Sequence, residues 1–188
     1  MSRLLIGAVG VALCCQVAVS ATSYAPVTFN DLAARADVIF VGQVADVHSF
    51  AMDVRGETVI KTRVTFSVSD PIFGTSSLVE VLDFLGGEWN GVGMRIAGMP
   101  TFAVGERRVV FARHDGSINP IVGFTQGLLR VERAADGIDR VFTFNGYPLA
   151  RIESVGAASE PGAAPGIPMR LSELRVGVTR ALTRAGKR

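Results

Sequence analysis

Cysteine is almost missing from these 188 residues: Cys14 and Cys15 are the two present, side by side near the N-terminus. Histidine is as scarce, with His48 and His114 alone, and Trp89 is the single tryptophan. Each shortage excludes something. A zinc site draws on three or four His, Cys or carboxylate ligands, often clustered in sequence. Two isolated histidines with no thiol nearby make no such cluster, so no metal ligands and no cofactor are assigned. Charge of one sign is lacking too. Lys and Arg number 19 against 17 Asp and Glu, so no overall field draws the chain toward nucleic acid or an acidic polymer. The one local bias is C-terminal, where Arg170, Arg175, Arg180, Arg184, Lys187 and Arg188 face only Glu173.

Charge is rarest at the start. Arg3 is the only charged residue before Asp31. One cation, an apolar run from Leu4 to Leu13 and the small residues of Val17-Ala18-Val19-Ser20-Ala21 form the three-part export pattern. Residues 1–21 are therefore expected to be a signal peptide cleaved after Ala21, with Ser20 and Ala25 as alternative sites. The run is broken by Gly7, Gly10 and Gln16, whereas a membrane-spanning helix needs about 20 consecutive apolar residues. Leu13 before Cys14, and Cys14 before Cys15, do not suit lipid attachment. Cleavage would carry off both thiols and leave a cysteine-free mature chain, periplasmic or secreted, with no stable membrane anchor. Exported domains with small cores usually rely on disulfides. At roughly 165 residues the mature chain is long enough to hold by burial alone, because domains near that size bury about 70% of their unfolded surface.

Past the cleavage region the chain reads as β structure between two helices. Thr28 and Asn30 can cap a short helix over 28–36, with Asp31 at its positive end. Val38 to Val44 begins as a continuous apolar run, the mark of a strand buried on both faces, and Gly42 in it permits a bulge. Ile60, Thr62, Val64, Phe66 and Val68 alternate with polar residues, a long strand with one wet face that Asp70-Pro71 ends. Leu78–Leu85 is a third strand. Asn90-Gly91 is a strong turn signal, with a short return strand over Met94–Ala97. Further strands are expected over 107–113, 118–122, 128–133 and 140–144, and Asp136-Gly137 turns between the last two. Residues 154–169, rich in Gly, Ala and Pro, read as a linker or loop. Leu171, Leu174, Val178 and Leu182 recur at helical spacing, and the basic helix over 170–188 is expected to dock on the strands of 22–153. Short strands with glycine turns and helices only at the ends imply one mainly β domain, a barrel or sandwich.

Three stretches carry a resemblance: Ala36-Asp37-Val38-Ile39-Phe40-Val41-Gly42-Gln43-Val44, Val64-Thr65-Phe66-Ser67-Val68-Ser69-Asp70-Pro71-Ile72-Phe73-Gly74, and Val104-Gly105-Glu106-Arg107-Arg108-Val109-Val110-Phe111. Their arrangement over residues 36–113 resembles the netrin-like domain, which includes the tissue inhibitors of metalloproteases and also occurs in secreted bacterial proteins. The resemblance implies an OB-type barrel with extra strands. It does not carry the inhibitory mechanism, because those inhibitors chelate zinc through an N-terminal cysteine that no cleavage site here would leave.

Chemistry is sparse. Asp83 with Glu88, or Glu106 with Asp115, could serve as acid–base pairs, but exposed charges flanking strands explain them more simply. His114-Asp115 with a distant serine would be needed for a hydrolase, and there is no G-x-S-x-G elbow. Gly86 to Gly93 is rich in glycine, yet no Gly-Lys-Ser/Thr follows it to grip phosphate. OB barrels often bind single strands through basic grooves and stacked aromatics. The wet face of the long strand offers Lys61 and Arg63 with no aromatic, so nucleic acid is not expected as a partner. The basic terminal helix lacks Trp and Phe on its apolar stripe, which disfavours membrane binding. The feature left is the loop Gly87, Glu88, Trp89, Asn90 and Gly91, in which an aromatic sits where a partner can come close. The expected function is a non-catalytic binding module for an extracytoplasmic protein or peptide. A hydrolase with dispersed residues and a protease inhibitor by fold analogy are the alternatives. Trp89 would be either displayed to a partner or folded back to plug the barrel end.

Overall fold

The structure is a computed structural model and describes residues 25–156 and 166–187. The expected signal peptide, with Cys14 and Cys15, and residues 157–165 of the expected linker lie outside the described residues. In chain order the elements are α1 (Phe29–Arg35), β1 (Val38–Val54), β2 (Glu57–Phe73), β3 (Val79–Leu85), β4 (Gly87–Trp89), β5 (Val92–Met94), β6 (Arg107–Ala112), β7 (Leu128–Arg133), β8 (Asp139–Phe142) and α2 (Leu171–Arg184). The domain is mainly β with a helix near each end, as the residue patterns imply. Six strands pair antiparallel in the order β3-β2-β1-β6-β7-β8, and β4 with β5 forms a separate hairpin.

The apolar run at the start of β1 is buried on both faces. Ile39 and Val41 join a cluster with Val109, Phe111, Leu129 and Val141 that the two helices cover. Val38, Phe40 and Val44 join the opposite cluster, with Val64, Phe66, Leu82, Phe84 and Val110. Pairing of β1 with β2 slips at three places, one of them between Val41 and Gly42. Such bulges increase local twist and bend the strand. A Cβ on Gly42 would lie 3.0 Å from the Phe40 ring and 3.2 Å from the Ser67 carbonyl oxygen, so a side chain there would have to push its neighbours aside by a few tenths of an ångström.

The sheet is not closed, because β3 and β8 do not pair. Beside β8, the Val141 N–H reaches the Met169 carbonyl and the Leu149 N–H reaches that of Val141. These flanking segments cover the edge that a closing strand would need. Beside β3, the Leu85 N–H donates to the Ile118 carbonyl at 2.8 Å.

The helices lie where their apolar stripes require. Thr28 caps α1 by accepting the Asp31 N–H at 3.1 Å, and Phe29, Leu32 and Ala33 are buried. From α2, Leu174, Val178, Ala181 and Leu182 are buried in the helix-side cluster. Just past α2, Lys187 Nζ donates to the Ala36 carbonyl at 2.7 Å and sits 5.2 Å over the Phe73 ring.

Three expected boundaries are corrected. Asp70-Pro71 does not end β2, which runs on to Phe73. Beyond residue 67 the strand has no β3 partner, and a sheet tolerates proline at such an edge. The return strand after Asn90-Gly91 is Val92–Met94 instead of Met94–Ala97, since a two-residue turn pairs Trp89 directly with Val92. Residues 118–122 form one bridge, Ala112 to Ile121, in place of a strand. There Asn119 turns inward and its side chain accepts the Ile121 N–H at 3.0 Å.

Candidate functional site

A groove of about 560 Å³ opens at the end of the curled sheet, beneath the β4–β5 hairpin. Its floor comes from the strands and its far wall from the loop before β6, with Val47, Phe84, Ile96, Met99 and Phe102 among the apolar lining. Phe102 is the plug of the sheet end. Its ring lies 4.9 Å from that of Phe84 and meets Phe66 edge-on at 5.8 Å.

Trp89 does not take that role. It stands on β4, 42% exposed, directly across from Val92, which is 63% exposed. Asn90 (φ 50°) and Gly91 (φ 78°) form the turn between them. Two successive positive φ values are those of a tight hairpin turn whose twist matches its strands. Of the five residues singled out in sequence, Gly87 and Glu88 line the groove, while Trp89, Asn90 and Gly91 form the hairpin's outer tip. The groove itself leaves no signal in the sequence, because its lining is gathered from residues 47–102.

The hairpin is held down by two hydroxyls. The Glu88 N–H donates to Ser49 Oγ at 3.3 Å, Ser49 Oγ lies 3.1 Å from Thr62 Oγ1, and Thr62 Oγ1 donates to the Gly86 carbonyl at 2.8 Å. A hydroxyl has one hydrogen. Thr62 gives its own to Gly86, so Ser49 must give its own to Thr62. Both hydrogens are committed to structure, and neither hydroxyl is placed to act as a nucleophile. A Cβ on Gly87 would fall 2.3 Å from Ser49 Oγ and 2.4 Å from Thr62 Oγ1, so only glycine lets the hairpin approach this closely.

Apart from Glu88, the other residues considered for chemistry lie outside the groove lining. Each of the four carboxylates holds a partner of its own except Glu88: Asp83 pairs with Arg63 at 2.8 Å, Glu106 with Arg108 at 2.7 Å and Asp115 with Arg113 at 2.9 Å. His48 Nδ1 is 2.6 Å from Asp46, and His114 Nε2 is 3.6 Å from Glu80. Among the described residues neither imidazole touches a serine or threonine hydroxyl, and no three His, Cys, Asp or Glu side chains gather to hold a metal. The strand face bearing Lys61 and Arg63 does have an aromatic, supplied by β1: the Arg63 guanidinium lies 5.0 Å over Phe50. No described helix is long and apolar enough to cross a membrane.

Charge pairing leaves a pH signature. The Arg63 hydrogen bond holds Asp83 below its ordinary range despite partial burial. The Arg107 fork does the same for Asp139, with Arg133 adding to it. Burial opposes ionisation of Glu106, but Arg108 and the Ala103 N–H outweigh it and keep that carboxyl low as well. A carboxylate whose folded pKa lies below its unfolded value adds stability above the unfolded pKa and loses it as pH falls through the folded one. The urea midpoint is therefore expected to fall on acidification between about pH 5 and pH 1, and less steeply in Asp139→Asn. A midpoint independent of pH over that interval would show that these pairs contribute nothing.

No family model matches this chain, and no curated protein matches it.

Proposed function

We propose that the chain is exported and acts outside the cytoplasm as a non-catalytic binding module for a protein or peptide. The observation that carries this reading is the open apolar groove with Trp89 and Val92 displayed on the hairpin above it. Exposed aromatics are enriched among the residues that anchor protein and peptide contacts. The Ser49 and Thr62 hydroxyls are committed to the hairpin, and no histidine stands in the groove lining beside Thr101 to serve as its base, which favours binding over hydrolysis there. A netrin-like relationship belongs to the same proposal, supported by the bent β1–β2 pair and the packed helices.

The test is quantitative capture from the extracytoplasmic fraction with the wild-type chain, Trp89→Ala and the groove-filling Ile96→Trp. Removing a tryptophan hot spot costs about 2 kcal/mol, roughly thirtyfold in affinity, and Ile96→Trp is expected to abolish capture. Undiminished capture by both variants would exclude this end of the molecule as the binding site.

A further inference from the structure

We propose that the groove recognises a peptide segment in which a large apolar side chain is flanked by a basic residue on one side and an acidic residue on the other. This rests on the binding-module reading above and names the chemistry of the partner.

Of the three lining hydroxyls, those of Ser49 and Thr62 are spent on the hairpin, and that of Thr101 remains a neutral polar group at the far wall. The charged side chains left at the groove are Glu88, on β4, and Arg95, just past β5. Both are exposed. Neither side chain has an ion pair or hydrogen bond among the described residues, and although both line one groove they do not pair with each other. Among the described residues, exposed charges without a partner occur elsewhere on the surface, Glu57 and Glu132 among them; what sets Glu88 and Arg95 apart is that two of opposite sign line one apolar groove. Across the hairpin from Glu88 stands Gly93, with open space where a side chain would be, and Glu88 itself is exposed.

Two unpaired charges of opposite sign beside an apolar cavity complement a ligand that is apolar in the middle and oppositely charged at its ends. A fatty acid or another singly charged amphiphile would answer only one of the two. The cavity, at about 560 Å³, is large enough for a bulky side chain together with its backbone. An anionic carboxylate meets the Arg95 fork through paired N–H···O bonds, and an ammonium or guanidinium meets Glu88. Such charges at a rim act mainly on specificity and register.

The experiment is selection of random heptapeptides displayed on phage, using the purified chain, a charge-exchanged variant (Glu88→Arg with Arg95→Glu) and Ile96→Trp as baits. The wild-type chain is expected to enrich a Phe, Leu, Met or Trp with a basic residue on one side and an acidic residue on the other. The exchanged chain is expected to enrich the same residues with the two charges in inverted order. A synthetic peptide of each order should then differ at least tenfold in affinity for the two chains, read from Trp89 fluorescence. Peptides that depend on the groove but carry no such charges, or whose charge order ignores the exchange, would overturn the proposal and leave the groove reading intact. Peptides equally well held by Ile96→Trp would overturn the groove reading itself. Absence of any enriched peptide would overturn the proposal, while protein capture would still report on the groove.

Discussion

Phe111→Ala is expected to lower the unfolding free energy by about 3–5 kcal/mol, a large share of the roughly 5–15 kcal/mol typical of a whole domain. Phe111 is fully buried in the helix-side cluster, and its ring meets that of Phe29 at 6.2 Å in an edge-on contact. It thus ties β6 to α1, and the cavity left by truncation lies between rigid elements that cannot collapse into it. Urea unfolding measures the loss. A cost below about 1 kcal/mol, within reach of volume-conserving core changes, would mean that the helices do not close over this face as tightly as the packing implies.

Gly74→Ala should come close behind. Gly74 follows β2 at φ +73°, and an added Cβ would fall 1.8 Å from the Asp37 carbonyl oxygen and 3.2 Å from Val38 Cα. Those atoms are backbone, at the entry to the doubly buried strand, and no side-chain rotation relieves the overlap. Gly56, in the β1–β2 turn, has a similar φ of +86° with nothing within 4 Å. Gly56→Ala should therefore cost only the left-handed strain, about 1–2 kcal/mol. Gly74→Ala adds displacement of the strand and should cost about 3 kcal/mol or more. Equal effects from the two substitutions would refute the clash.

Where burial is strictly one- or two-sided, the residue pattern announces it. Val38 to Val41 reads as a strand without a wet face because two separate clusters claim its alternate residues. Asn90-Gly91 marks its turn because few pairs accept two positive φ values. The tip of the β1–β2 hairpin is silent for the converse reason. Gly56 is the only residue of its turn that favours a positive φ, Arg55 holds φ 57° with no side-chain chemistry that favours it, and residues 45–54 lie largely in water, so no burial period marks the strand that leads there. The displayed hairpin is legible in the sequence, but the groove below it is not. Its walls meet only once β1, β2, β3 and the loop before β6 have curled together, and the hydroxyl tether between Ser49 and Thr62 joins residues 13 apart that carry no motif.

The placement of the two apolar clusters also orders events during synthesis. The groove and its hairpin are drawn from a continuous stretch, 47–102, and β1 joins β2 through a turn of two residues, Arg55 and Gly56. Those parts can assemble as soon as they are made. The other side of β1 must wait, because its cover includes Leu174, Val178 and Leu182 of α2, and the bond from Lys187 to Ala36 spans 151 positions. Until α2 packs, α1 is the only helix over Ile39 and Val41, and the part of that apolar face that Leu174, Val178 and Leu182 would cover stays open to other chains.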